Sequence, residues 1–124
     1  TPAPYVSTAM VSLPHEIVRS GRFSGRNPMQ SVGSAVFSLA KLVQGSYIGC
    51  ITGLKLWDIA GAAPILQRTG YRIEFPDRRL LSDRVTDTDW VTDAARTDLW
   101  KCRGNLFVAG SEEAMEYIHA HYTT

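Results

Sequence analysis

Between Ser34 and Phe75 the hydrophobic period of the chain changes three times, and this alternation most restricts what it can fold into. Ala35, Val36, Leu39, Ala40, Leu42 and Val43 recur at helical spacing. Ser34 precedes them as a cap, and Gly45 suits the left-handed residue beyond the helix end. Tyr47-Ile48-Gly49-Cys50-Ile51-Thr52 is short, mostly apolar and bounded by glycines, the pattern of a buried central strand. Ile59, Ala60, Ala62, Ala63, Ile65 and Leu66 return to a helical run that closes at Arg68-Thr69-Gly70. Pro64 interrupts that run, placing its first regular turn nearer Pro64 than Asp58. Tyr71, Ile73 and Phe75 alternate with Arg72 and Glu74, as in a half-exposed strand. Strands alternating with helices point to an α/β layered domain with a partly parallel sheet and helices on both faces.

The flanks are less regular. Tyr5 to Leu13 reads as a strand ending at Pro14, and His15 to Arg19 as one short helical turn. Ser20 to Asn27 reads as a basic, flexible loop, and Met29 to Val32 as a second strand entering the Gly33 turn. Pro76 to Asn105 is the least legible part, with Trp90 and Trp100 expected to pin it to the core. Asp87-x-Asp89-x-x-x-Asp93 lacks the Gly and final Glu of a calcium loop, which leaves a solvated loop with helix caps. Leu106 to Ala109 makes a strand, and Ser111-Glu112-Glu113 starts a last helix reaching about His121. His119 and His121 read as frayed surface groups, and with His15 they show no zinc spacing.

A chain of 124 residues with 44% hydrophobic and 20% charged residues is one ordinary globular domain, 1–124. A net charge of +1 gives no electrostatic case for nucleic acid or a membrane surface as partner. No apolar run approaches the roughly 18 residues of a membrane span, and no signal peptide is visible. Cys50 and Cys102 lack metal spacing and suggest a reducing, cytoplasmic setting. Thr1-Pro2-Ala3-Pro4 favours an extended, linker-like backbone.

Two segments carry chemistry. Gly53-Leu54-Lys55-Leu56-Trp57-Asp58-Ile59-Ala60-Gly61-Ala62 puts an acid at a loop-to-helix junction, where it can cap the helix or hold a metal. Ser31-Val32-Gly33-Ser34-Ala35 opens a helix with a polar turn whose backbone N–H groups and Ser34 hydroxyl form a small cradle. In this order, the two segments resemble the Gly-Ser-Ala and Trp-Asp signatures of the inositol monophosphatase family, over roughly residues 31 to 75.

The resemblance implies the C-terminal, substrate-side half of that family's layered α/β/α/β/α sandwich, with a mostly parallel sheet flanked by helices. It implies a magnesium-dependent phosphomonoesterase acting on inositol phosphate or a related small phosphate ester. By that analogy Asp58 is a Mg2+ ligand, and Gly33, Ser34, Ala35 and Thr52 bind substrate. The family's other metal-binding acids lie in an N-terminal half with an Asp-Pro-Leu-Asp-Gly-Thr segment, and nothing similar occurs here. That half of the same protein is therefore an expected partner, as is a second copy in a homo-oligomer such as a dimer. Thr52 stands where the inositol phosphatases usually carry a Glu, which opens the substrate to sugar, nucleotide or amino-alcohol phosphates. Lys55 is either a contact for an anionic substrate or a solvent-facing side chain. The alternative to an enzyme is a non-catalytic binding or oligomerisation module on the same half-fold.

Overall fold

The computed structural model describes residues 9–31 and 33–123. The expected linker at residues 1–4, the start of the first expected strand and Val32 lie outside them. In chain order the elements are β1 (Met10–Ser12), α1 (His15–Ser20), β2 (Met29–Gln30), α2 (Ala35–Val43) and β3 (Tyr47–Thr52). There follow α3 (Leu56–Ile59), α4 (Ala63–Arg68), β4 (Arg72–Glu74), β5 (Leu106–Ala109) and α5 (Glu112–His121). The apolar run after Thr52 is thus two short helices. Pro64 sits in the first turn of α4, where its missing N–H costs nothing, and it cannot continue a helix begun at Leu56.

One five-stranded sheet of order β2-β1-β3-β5-β4 organises the domain. The α/β class is as expected, but the ladders are evenly mixed. β2, β1 and β3 pair in parallel, whereas β5 is antiparallel to both β3 and β4. It follows that β4 runs with β3, so four strands share one direction and β5 alone opposes them. The cause is the excursion after β4. It contains no crossover helix, and the chain re-enters the sheet reversed, in the gap that β3-α3-α4-β4 leaves open.

The sheet separates two apolar layers. On one face, Leu39 and Leu42 of α2, with Ile59 and Leu66 of α3 and α4, pack on Cys50, Ile73, Leu106 and Val108. On the other, Ile17 of α1 and Ala114, Met115 and Ile118 of α5 pack on Val11, Ile48, Ile51 and Phe107. A register shift between Met10 and Val11 accompanies a break in the alternation of β3, so that Tyr47 and Cys50, three residues apart, share one layer and Ile48 and Ile51 the other.

Three flanking expectations are corrected. Residues 20–27 are anchored: Phe23 is buried and bridges Tyr122, and buried Asn27 donates through Nδ2 to the Ala9 carbonyl at 2.7 Å. Glu74 is buried because α5 crosses the face it points to. There its carboxylate meets His119 Nε2 at 2.8 Å and Arg72 Nε at 2.7 Å. His119 is accordingly no frayed surface group: its side chain is 5% exposed and sits edge-on to Phe107. In the 76–105 excursion Trp90 is buried against the core as expected, while Trp100 stays partly exposed.

Gly49 marks where α5 presses on the sheet. A Cβ there falls 2.6 Å from Ile118 Cδ1 and 3.2 Å from the Val108 carbonyl oxygen. Gly49→Ala should lower the stability to urea by about 1–3 kcal/mol, as overpacking of a filled core does. Adding Ile118→Val should recover part of that loss, so the two changes measured in a double-mutant cycle should not add.

Candidate functional site

β1 connects through α1 to β2 on one side of the sheet, and β3 connects through α3 and α4 to β4 on the other. The two connections therefore leave the β1–β3 pair in opposite directions. A crevice must open beyond the carboxyl ends of these strands, the place where open α/β sheets bind ligands.

Such a hollow exists, with a volume of about 150 Å3. Ser12, Leu13 and Pro14 from the end of β1 and Ile51, Thr52 and Gly53 from the end of β3 form two of its walls. His15 and the start of α2, with Gly33, Ser34, Ala35 and Ser38, close the rest. Gly33 takes φ +76°, a left-handed turn open to glycine at little cost, and delivers Ser34 to the helix start. Ser34 Oγ accepts the Phe37 N–H at 3.3 Å, so Ser34 is the α2 cap. The Ala35 and Val36 amides, among the first N–H groups of a nine-residue helix, have no intrahelical acceptor and bring the positive end of its dipole to the hollow.

The base of the hollow is polar. Ser12 and Ser38 hydroxyls bond each other at 2.9 Å, tying β1 to α2. Thr52 is only 6% exposed, yet its hydroxyl has no hydrogen-bond partner among the described residues. Among the described residues the buried side-chain oxygen without a partner is Ser31 Oγ, so the Thr52 hydroxyl is not sealed off and stays open to the hollow.

The four expected substrate residues, Gly33, Ser34, Ala35 and Thr52, are therefore brought together in one hollow. Asp58 lines a different depression, the groove between α2 and α4, with Val36, Leu39, Ala40, Val43, Ala62, Ile65 and Leu66. It is also not the helix cap. Lys55 holds that position, and Asp58 is the third residue of α3, reaching back so that Oδ2 accepts the Lys55 N–H at 3.0 Å. Its other oxygen stays available. Lys55 does not reach the hollow; its ammonium lies 5.0 Å over the exposed Trp57 ring.

The excursion braces this corner, a link the sequence did not reveal. Leu56 N–H donates to the Trp100 carbonyl at 2.8 Å, and Cys102 N–H to the Leu54 carbonyl at 2.8 Å. Ser12, Ser38 and His15 were also missed as wall residues. Only the pairing of β1 with β3 beneath α2 brings them in, and no short motif encodes that.

The cysteines offer no nucleophile. Burial pushes the Cys50 thiol up to about 12, and burial also raises Cys102, so neither is held as a thiolate. Among the described residues no group of three or more His, Cys, Asp or Glu could hold a metal, and no helix is long and apolar enough to cross a membrane.

Solved structures place this fold. A hypothetical protein from Pyrococcus horikoshii, described as similar to inositol-1 monophosphatase, superposes with TM-score 0.67 at 14% identity over 100% of this chain and 46% of its own. Inositol monophosphatase II from Staphylococcus aureus gives 0.66 at 14% over 98% and 44%. An inositol monophosphatase/NADP phosphatase complexed with Mg2+ and phosphate gives 0.62 at 15% over 99% and 44%. The chain thus has the α/β fold of inositol monophosphatase-type structures and spans less than half their length. No protein-family model and no curated protein matches the sequence.

The Ser12–Ser38 pair gives a test of the hollow's base. Ser12→Ala or Ser38→Ala alone should cost about 1 kcal/mol in urea unfolding, since each strands a buried hydroxyl. The double variant should cost less than the sum, because removing both hydroxyls leaves no unpaired group.

Proposed function

We propose that the chain carries the substrate-side part of a magnesium-dependent phosphomonoesterase acting on a small phosphate ester. One observation carries the reading. Residues expected to hold the alcohol part converge on a crevice at the β1–β3 switch point, where the unpartnered Thr52 hydroxyl opens into the hollow. The likeness to inositol monophosphatases supports it at the level of the fold.

In this reading the hollow binds and orients the alcohol. The Thr52 and Ser34 hydroxyls and the Ala35 amide offer hydrogen bonds to it, and Gly33 and Gly53 leave room for close approach. Thr52 carries no charge where a carboxylate would grip a polyol, so sugar, nucleotide and amino-alcohol phosphates stand beside inositol phosphate as substrates.

Asp58 fits one position around magnesium, a hard cation that takes carboxylate, phosphate and water oxygens. Its Oδ2 is committed to the Lys55 amide and its other oxygen is not. Among the described residues no group of three or more His, Cys, Asp or Glu gathers to hold a metal, so further ligands would come from outside them, as from an N-terminal half of the same protein. Magnesium, when bound, polarises water and neutralises charge on the phosphate. One carboxylate binds it poorly, so the 124-residue chain by itself should release no phosphate from such esters.

A second reading, a non-catalytic binding or oligomerisation module, draws on the groove between α2 and α4, where Val36, Val43 and Ile65 remain largely exposed.

Asp58→Asn in the complete protein separates the two. Asn keeps an oxygen for the Lys55 amide but loses the charge. Magnesium-dependent phosphate release from a panel of inositol, sugar, nucleotide and amino-alcohol phosphates should fall about 100-fold or more, with Tm nearly unchanged. A lowered Tm with unchanged kcat/KM would make Asp58 only a brace of α3.

A further inference from the structure

Among the described residues the walls of the hollow contain no carboxylate, and His15 is the one side chain there that can carry charge. His15 opens α1 and sits against the Gly33 turn, its Cε1 3.7 Å from where a Gly33 Cβ would stand. Its Nε2 faces the Ser31 carbonyl at 3.3 Å, an acceptor, so this nitrogen carries the hydrogen and Nδ1 is left without a partner among the described residues. As the imidazolium, both nitrogens donate, one to Ser31 and the other to whatever enters the hollow. The neighbouring acid, Glu16, is held by Arg22 at 2.8 Å. The start of α2 adds the Ala35 amide, which has no intrahelical acceptor, and the Thr52 hydroxyl, open to the hollow, adds a further donor. Every polar side chain that lines the hollow can therefore donate a hydrogen bond, and none of them carries negative charge.

We infer that the hollow selects an oxyanion on the alcohol part of the substrate, a second phosphate or a carboxylate in preference to a bare polyol ring, and that His15 is the residue that selects it. This rests on the phosphate-ester reading of the hollow and narrows its substrate class to esters with two anionic groups. His15 holds the substituent rather than the reacting phosphorus, so it sets specificity and is not a catalytic residue.

The test is binding to the metal-free, 15N-labelled chain, followed by amide shifts, with inorganic phosphate, malonate and myo-inositol as probes. Phosphate should saturably shift Gly33, Ala35, Thr52 and Gly53. Malonate doing the same would extend the site to carboxylates, and malonate failing would confine it to phosphates. Myo-inositol should bind about tenfold or more weakly, since charged donors gain most from a charged acceptor. His15→Asn should weaken phosphate binding roughly five- to tenfold, and His15→Lys should restore most of it. His15 is exposed, so both variants should otherwise keep the parent spectrum. Myo-inositol binding as tightly as phosphate overturns the inference, as does an unchanged phosphate affinity in His15→Asn. Shifts centred on Asp58, or no saturable shift up to tens of millimolar, overturn it equally. No metal or hydrolysis enters this experiment, so its failure leaves the phosphatase reading to stand or fall on Asp58.

Discussion

The double ladder of β5 is the constraint on which the rest depends. Leu106, Phe107, Val108 and Ala109 are fully buried, and this strand bonds to β3 on one side and β4 on the other. Its alternate side chains feed both layers: Leu106 and Val108 join the α2–α4 side, Phe107 and Ala109 the α1–α5 side. Without β5 the sheet would split into a β2-β1-β3 ribbon and a lone β4, each with an unpaired edge. Its reversed direction also explains why α5 leaves toward the α1 layer and crosses Glu74. An acid on the outer strand face then needs a partner inside the protein, and His119 supplies it.

The same geometry makes the hollow a by-product of packing rather than an addition to it. α2 has to cover Cys50 and Val108, so its first turn must overhang the ends of β1 and β3. Ser38 is the position on α2 that meets β1, and pairing it with Ser12 satisfies both hydroxyls at a contact too close to the crevice to be made of aliphatic groups alone. The core and the hollow thus share α2: its apolar face holds the core, and its N-terminus faces the hollow.

What the sequence disclosed was whatever depends on local period or local chemistry. The α2 helix with its Ser34 cap, β3, the break at Pro64 and the α5 start at Ser111 could all be read from residues within a turn or two of each other. Gly33, Ser34, Ala35 and Thr52 could be singled out for the same reason: each sits at an element end where a short motif points to it. The order of strands could not be read. Leu106 to Ala109 looks like any short apolar strand, and nothing near it says that it inserts between β3 and β4. From that one omission follow the mixed ladders, the burial of Glu74 and His119, and the anchoring of residues 20–27 by Phe23 and Asn27. Ser12, Ser38 and His15 escaped notice because their role exists only once β1 and β3 are neighbours. An isolated Ser or His carries no periodic signal.

The excursion from Pro76 to Asn105 finds its meaning in the corner it supports. Trp100 adopts φ +68°, a left-handed conformation that costs a residue with a Cβ about 1–2 kcal/mol. That cost is met where the Trp100 carbonyl accepts the Leu56 N–H and the Trp100 N–H reaches the Val91 carbonyl at 2.7 Å. Leu56 is the first residue of a helix only four residues long, too short to hold itself by its own hydrogen bonds. With Leu56 fixed from outside and the Lys55 amide bound by Asp58, the carboxylate has one oxygen tied down and one presented. The Trp100 carbonyl and the Asp58 carboxylate thus hold the entry to α3 through two successive amides, those of Leu56 and Lys55. In this domain the long irregular segment is therefore a brace of α3, acting through the Trp100 backbone rather than through any side chain of its own.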